Sequence, residues 1–246
     1  MIFLFRALSA ELLKLKRTLA FRVALLLPLL VAVLEFFIIV RTKTPPAPVN
    51  LWRTLVTNSL EIWGVFMLPL LITLETALLN GIEHSDKQWK HILALPIPRH
   101  SIYLAKVIVA QALILLSTVI LALLTVIVGV LGSQLRPELV TSPNPPYLWI
   151  AKLTLFVWLA SWFIIAIHTW ISVRWSGFPI PLGAGIGGTF FALFAASAAV
   201  GKYYPWLLPM NIFIDGRSNA ALFLGVCGGV VAIVLGCFEF VRRDVA

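Results

Sequence analysis

Six long apolar runs constrain this chain more than any other feature of its sequence. They cover residues 19–40, 60–79, 107–131, 148–173, 179–200 and 220–241. Each run has about 20 residues or more, the length that an α-helix needs to cross the hydrocarbon core of a bilayer. Transmembrane β-strands would instead alternate in polarity over about ten residues. The sequence therefore predicts an all-α integral membrane bundle of six transmembrane helices.

The composition agrees with a chain that folds in lipid. Hydrophobic residues make up 61% and charged residues 12%, against about 25% charged residues in soluble domains. The length suits a single membrane domain over residues 1–246 and leaves no room for a soluble catalytic domain. The net charge of +9 is scattered between the apolar runs. Anionic lipid is therefore the expected partner of these charges, and nucleic acid is not.

Basic residues also predict the orientation of the chain. They are concentrated near both termini and in the loop after the second run, which includes Lys87 and Lys90. Cytoplasmic loops retain lysine and arginine during insertion. We therefore expect a multi-pass protein of the cell membrane, either a bacterial inner membrane or a plasma membrane, with both termini in the cytoplasm.

Residues 3–18, before the first run, have the pattern of an amphipathic helix. Leu4, Leu8, Leu12 and Leu15 fall on one helical face, which predicts a helix lying on the cytoplasmic leaflet. A cleavable signal peptide is the alternative, but the first run is long for one and carries Glu35.

Two further segments are expected to have special roles in packing. Residues 203–215 are apolar, too short to cross the membrane and interrupted by two prolines, which predicts a re-entrant or interfacial hairpin. Small residues four apart, Gly183 with Gly187, Ala184 with Gly188, and Gly225 with Gly229, predict close helix approach in the fifth and sixth runs.

The loop between the second and third runs is predicted to form a short amphipathic helix that ends before Pro96 and Pro98. Its apolar residues are Trp89, Ile92 and Leu93, and its polar residues are Glu83, Asp86, Lys87 and Lys90. Two interpretations remain open at this point: a solvated loop helix, or an element that docks on a partner protein.

Four ionisable residues fall inside the apolar runs, where charge is costly: Glu35, Glu75, His168 and Glu239. They lie on four different runs and no motif joins them, so a structural role and a functional one are both open. His84, Asp86 and His91 match no standard metal-ligand spacing, so no metal site is expected. The sequence also has no phosphate-binding loop and no nucleophile elbow. We therefore predict that the chain is not catalytic by itself.

Several short segments carry a resemblance to a known family. They are Ala-Glu-Leu-Leu-Lys-Leu-Lys-Arg-Thr at 10–18, Glu75, Trp-Lys-His-Ile-Leu-Ala-Leu-Pro-Ile-Pro-Arg at 89–99 and Ile-Tyr-Leu-Ala-Lys at 102–106. With these segments the chain resembles the type-2 ABC exporter permeases, and within them the lantibiotic and bacitracin immunity permeases. Lys87-Gln88-Trp89-Lys90 is similar to the immunity branch, whereas drug exporters carry a Gly-Thr pair there.

The resemblance implies a function as well as a fold. It implies six spans, an N-terminal amphipathic helix, a cytoplasmic coupling helix and a re-entrant hairpin before the last span. The segment 83–93 would seat on a separate ABC ATPase subunit, which would bind ATP and Mg, while this chain would bind no cofactor. The permease would form a homodimer or a heterodimer and expel a hydrophobic or amphipathic substrate, such as a peptide antibiotic or drug, and so confer resistance.

Two other functions remain as alternatives. A membrane-embedded enzyme acting on lipid would use Glu35, Glu75 and His168 as its first candidates. A non-transporting membrane assembly factor would not couple to ATP hydrolysis.

Overall fold

The computed structural model describes residues 2–15, 18–41, 50–85, 96–137, 144–175 and 177–242, and every regular element in these ranges is helical. The α-helices are α1 (Ile2–Leu15), α2 (Leu19–Arg41), α3 (Leu51–Ile62), α4 (Leu68–Ser85), α5 (Arg99–Leu135), α6 (Tyr147–Arg174), α7 (Pro179–Ala195), α8 (Leu208–Asn211), α9 (Ser218–Phe223) and α10 (Gly229–Arg242). Two π-helical turns, Trp63–Met67 and Leu224–Gly228, join α3 to α4 and α9 to α10 without a break.

Five of the described helical runs are long and apolar enough to cross a membrane: Leu19–Arg41, Leu51–Gly81, Arg99–Leu135, Tyr147–Arg174 and Ser218–Arg242. The prediction of an all-α membrane bundle is therefore confirmed. The fifth predicted run differs, because its helix, α7, has 17 residues and ends at Ala195 rather than at Val200. At 1.5 Å per residue, α7 is about 25 Å long.

Helix α5 lies at the centre of the bundle and packs against α1, α2, α6 and α10. Its buried residues include large apolar side chains such as Ile114 and Leu121. Its buried face also carries Lys106. A bundle organised around one long helix brings elements from distant parts of the sequence to the same end of the molecule.

The amphipathic helix α1 is present, but its buried face is turned relative to the predicted one. Leu12 is 52% exposed, whereas Ala7, Glu11 and Leu15 are buried. These three follow a spacing of four residues, which places them along one side of a helix. The helix therefore presents an acidic side chain to the bundle, and Leu12 points away from it.

Small residues make close contacts, partly at positions other than the predicted ones. A Cβ atom added to Gly225 would lie 2.5 Å from Cα of Ala160, and one on Gly229 would lie 2.9 Å from Cβ of Trp162, so both predicted glycines of the last span face α6. In α7, by contrast, added Cβ atoms on Gly183 and Gly187 would meet no atom within 4 Å. The close contacts of α7 are made by Gly188, which was predicted, with Trp206, and by Gly185, which was not, with Thr73.

The segment after α7 has the broken structure that its prolines predict. Two 3₁₀ turns, Ala199–Lys202 and Pro205–Leu207, lead into the single turn of α8. The side-chain amide of Asn211 donates to the carbonyl oxygens of Gly201 and Lys202, at 2.9 and 3.3 Å. This segment folds back on itself and packs against the π turn of the second span.

Candidate functional site

Four charged side chains meet at one end of the bundle and form the ion-pair cluster, defined here as Glu11, Lys14, Glu83 and Lys106. The Nζ atom of Lys106 lies 2.6 Å from each carboxylate oxygen of Glu83 and 3.3 Å from Oε1 of Glu11. The Nζ atom of Lys14 lies 2.5 Å from Glu83 and 2.8 Å from Glu11. Each carboxylate is therefore shared by both ammonium groups.

The cluster is shielded from solvent. Glu83 is 0% exposed and Lys106 is 2% exposed, whereas Lys14 is half-buried at its edge. Burying a lone charge costs several kcal/mol, but paired and hydrogen-bonded charges offset much of this cost. Two carboxylates and two ammonium groups balance formally, so the cluster is stable only as a complete set.

Local structure explains how the four groups meet. Glu11 and Lys14 are three residues apart on α1, a spacing that places them side by side on a helix surface. Glu83 lies in the last turn of α4, and Lys106 lies two turns into α5. The cluster therefore joins the N-terminal helix to the end of one span and the beginning of the next.

Pairing between acidic and basic groups shifts the pKa values of Glu11 and Lys14 on α1. Burial by itself would raise the pKa of Glu11, but the ammonium groups of Lys106 and Lys14 outweigh it and lower this pKa below its ordinary value. Burial by itself would lower the pKa of Lys14, but Glu83 and Glu11 raise it above its ordinary value. Both groups are therefore held in their charged forms.

The cluster borders the predicted docking segment. Asp86, Lys87, Trp89, Lys90, Ile92 and Leu93 lie outside the described residues. Glu83, which we assigned to the polar face of the same amphipathic helix, is instead buried in α4. This placement differs from the prediction because α4 continues to Ser85, and Glu83 is turned towards Lys106 rather than towards solvent.

Sequence reasoning did not select Glu11, Lys14 and Lys106 as site residues. All three appeared there only within the segments 10–18 and 102–106 that carry the family resemblance. A usable signal was present, because Glu11 and Lys14 are acid and base at a pairing distance within an otherwise apolar helix. The pairing of these residues with Glu83, and of Lys106 with Glu11, leaves no pattern in the local sequence.

A second connection near the cluster joins α4 to α6. The side-chain amide of Asn80 donates to Oγ of Ser172 at 2.8 Å, and a ring nitrogen of His84 lies 3.0 Å from the carbonyl oxygen of Ser172. The metal-site alternative had grouped His84 with Asp86 and His91, both of which lie outside the described residues. The described contact of His84 is with the backbone of α6.

Glu239 is paired at the same end of the bundle. Its carboxylate accepts hydrogen bonds from the guanidinium of Arg174 and the indole of Trp170. The pair is partly exposed. Glu239 thus links the ends of α6 and α10, a structural role that its position in an apolar run left open.

The three remaining intramembrane candidates are buried separately. Glu35, Glu75 and His168 lie on α2, α4 and α6, and no hydrogen bond or ion pair between described residues joins any two of them. Both oxygens of Glu75 and both ring nitrogens of His168 lack a hydrogen-bond partner within the described part of the chain. His168 instead packs edge-on against Trp206.

The fold and the site define a class of protein: a multi-pass helical membrane protein with a buried ion-pair cluster at one end of the bundle. Residues 7–196 match the family described as ABC-2 family transporter protein. The chain belongs to this family, whose members are membrane components of transport systems and work with ABC ATPase subunits. No curated protein and no solved structure matches the chain significantly.

Proposed function

We propose that this chain is the permease subunit of an ATP-driven exporter and that its 86–95 segment docks on a separate ATPase subunit. The ion-pair cluster carries the proposal. Glu83 lies immediately before the segment and Lys106 follows it, and a direct pair joins them at 2.6 Å. A docking segment held between two bonded helices transmits movement, whereas a free loop would absorb it.

The mechanism follows from this connection. ATP binding closes the partner ATPase dimer and displaces the docking segment. Because Glu83, Lys106, Glu11 and Lys14 are joined, the adjoining ends of α4, α5 and α1 move together. Packed elements of this kind shift as rigid bodies. This movement changes the side of the membrane from which the space between two permease copies can be reached. The two copies are either identical or different chains.

The topology we propose has six spans. Helix α7 is the fifth span, since 17 residues is at the lower limit for crossing a bilayer. The turns after α7 form a re-entrant hairpin before the last span. The ion-pair cluster and both termini face the cytoplasm of a cell membrane, and residues 1–246 form one permease domain.

The cargo we propose is a hydrophobic or amphipathic molecule, such as a peptide antibiotic or drug. The support is the resemblance of residues 87–90 to the lantibiotic and bacitracin immunity branch. In this proposal the chain confers resistance by expelling cargo from the membrane. ATP and Mg bind to the partner subunit.

Co-purification tests the proposal directly. Membranes are solubilised in mild detergent, and the wild-type chain is compared with a triple variant, Lys87→Glu, Lys90→Glu and Trp89→Ala. Lys152→Glu is the matched control, because this exposed residue lies near the start of α6, whereas the end of α4 that precedes the docking segment contacts Ser172 near the other end of α6. We expect an ATPase with a phosphate-binding loop to accompany the wild type and the control but not the triple variant.

The other outcomes separate the alternatives. Absence of an ATPase from all three preparations would contradict the exporter proposal and favour a lipid enzyme. An ATPase that binds the wild type but hydrolyses ATP at the same rate without it would favour an assembly factor.

A further inference from the structure

A cavity of about 320 Å³ opens at the end of the bundle opposite the ion-pair cluster. The described residues that line it are Asn50, Trp52, Arg53, Asn144, Pro146 and Trp149. They come from the beginnings of α3 and α6. The size lies at the lower end of the range for small-molecule sites, about 300–1,000 Å³.

The cavity lies at the depth of lipid headgroups. The continuous helical run from Leu51 to Glu83 is about 50 Å long at 1.5 Å per residue, which exceeds the bilayer thickness of about 40–45 Å with headgroups included. One end of this run is in the ion-pair cluster, so its other end reaches the opposite headgroup layer. Tryptophan is typical of this layer, and Trp52 and Trp149 both line the cavity.

The chemistry of the lining is suited to an anion. Arg53 is exposed and is the charged member of the described lining residues, none of which is acidic. The side-chain oxygen of Asn50 accepts from the backbone N–H of Arg53 at 3.1 Å, which leaves its amide NH₂ group to donate elsewhere. The guanidinium is a planar donor that matches phosphate oxygens. The polar part of the cavity therefore supplies donors and positive charge.

The remaining lining residues include two tryptophans. They determine which kind of anion-bearing molecule fits the cavity. Trp52 is held rigidly because its ring packs against Gly129, and Trp149 is half-buried on the neighbouring helix. A free phosphate ion would make no contact with the accessible part of the Trp149 indole. A glycerophospholipid would place its glycerol and first acyl carbons against this indole. We propose that this cavity binds the phosphate-bearing headgroup of an anionic membrane lipid, with Arg53 as the phosphate ligand.

Calorimetric titration of the purified full chain in detergent micelles tests this site, and its readout does not depend on transport. The probe is dihexanoyl-phosphatidylglycerol, with dihexanoyl-phosphatidylcholine and inorganic phosphate for comparison. We expect saturable binding of phosphatidylglycerol, and Arg53→Gln should weaken it by about tenfold or more because a charge-assisted phosphate contact is lost. Phosphatidylcholine should bind more weakly, because its choline cation approaches Arg53.

Two further variants keep the test decisive. Lys202→Gln removes a positive charge that lies over Tyr203 and does not belong to the described cavity lining. It should change the affinity by no more than about twofold, because this charge makes no contact with the bound headgroup. Trp149→Leu should weaken the lipid without affecting inorganic phosphate, and it replaces Arg53→Gln as the test if that variant does not fold. Equal affinity of the wild type and Arg53→Gln, or no saturable binding, would overturn the site. Inorganic phosphate that binds as tightly as the lipid would overturn the lipid assignment.

Discussion

Lys106 and Glu83 form a two-pronged ion pair, in which one ammonium nitrogen lies 2.6 Å from both oxygens of a carboxylate that is 0% exposed. The pair connects the helix that precedes residues 86–95 to the helix that follows them. It is a direct link between the two sides of the proposed docking segment.

Removing one partner of this pair should destabilise the protein strongly. Glu83→Gln leaves two buried ammonium groups with one carboxylate, and Lys106→Met leaves the opposite imbalance. We expect each to lower the free energy of unfolding by about 3–5 kcal/mol, and the double variant Glu83→Leu with Lys106→Met to lose less, because no unpaired charge remains between them. Equilibrium unfolding in mixed micelles measures these differences.

The partly exposed pair of Glu239 with Arg174 is the matched control. Glu239→Gln should cost about 0–1 kcal/mol, as is typical of exposed pairs. An equal loss at Glu83 and Glu239 would contradict the special role of burial in the cluster.

The cluster also predicts how stability depends on pH. Because the pKa of Glu11 is lowered from 4.5 in the folded protein, its stabilisation is complete above pH 4.5 and is lost as the pH falls through the folded value. Because the pKa of Lys14 is raised from 10.5, its stabilisation is present below pH 10.5 and is lost as the pH rises through the folded value. Thermal unfolding should therefore show a plateau between these limits.

Other ionisable groups also titrate in this pH range. A comparison with a Glu11 variant therefore isolates the contribution of Glu11 to stability. Glu11→Gln should lower the unfolding temperature at neutral pH and flatten its fall at acidic pH. A wild type and a variant that differ by the same amount at pH 4 and pH 7 would be inconsistent with the lowered pKa.

Glycines of α7 and of the last span should respond differently to the same change. Gly225→Ala places a methyl group 2.5 Å from Cα of Ala160, so α6 and the last span must separate, and overpacking of this kind costs about 1–3 kcal/mol. Gly187→Ala adds a methyl group where no atom lies within 4 Å, and alanine is favoured over glycine in a helix by about 1 kcal/mol. Unfolding of the two variants side by side is the measurement, and a loss at Gly187 equal to that at Gly225 would contradict the packing described.

The hydrogen bond between Asn80 and Ser172 should contribute measurably to the joining of α4 and α6. A double-mutant cycle with Asn80→Ala and Ser172→Ala isolates it, because Asn80 also donates to the carbonyl oxygen of Thr76. Interhelical hydrogen bonds in membranes contribute about 0.6 kcal/mol on average and at most about 1.7 kcal/mol. A coupling energy of zero would mean that other contacts hold the two helices together.

Much of the architecture could be predicted from sequence, because spanning a bilayer requires apolar runs that are visible locally. The bounds of the first, fourth and sixth runs agree with their helices to within two residues, whereas the second and third helices begin nine and eight residues before their runs. The prolines at 205 and 209 mark the broken segment. Helix α7 was predicted too long, since hydropathy continues to Val200 although the helix ends at Ala195.

The candidate site was less predictable, because it depends on contacts between distant residues. Glu83 and Lys14 are 69 positions apart, and Glu83 and Lys106 are 23 apart, so helical periodicity within one element says nothing about their pairing. Periodicity in the loop placed Glu83 on a solvated face, whereas a long-range partner turned it inwards. The same limit explains why Gly183 and Gly187 were selected rather than Gly185, whose close neighbour, Thr73, lies on another helix.

The ion-pair cluster also has a consequence for biogenesis. Helix α1 is synthesised before α4 and α5, so Glu11 and Lys14 acquire their buried partners only after α4 and the beginning of α5 have been made. Until then, the four-residue ion-pair cluster cannot form. Helix α1 is therefore locked into the bundle only when the spans that contain α4 and α5 assemble, and the completed salt-bridge set marks the end of that step.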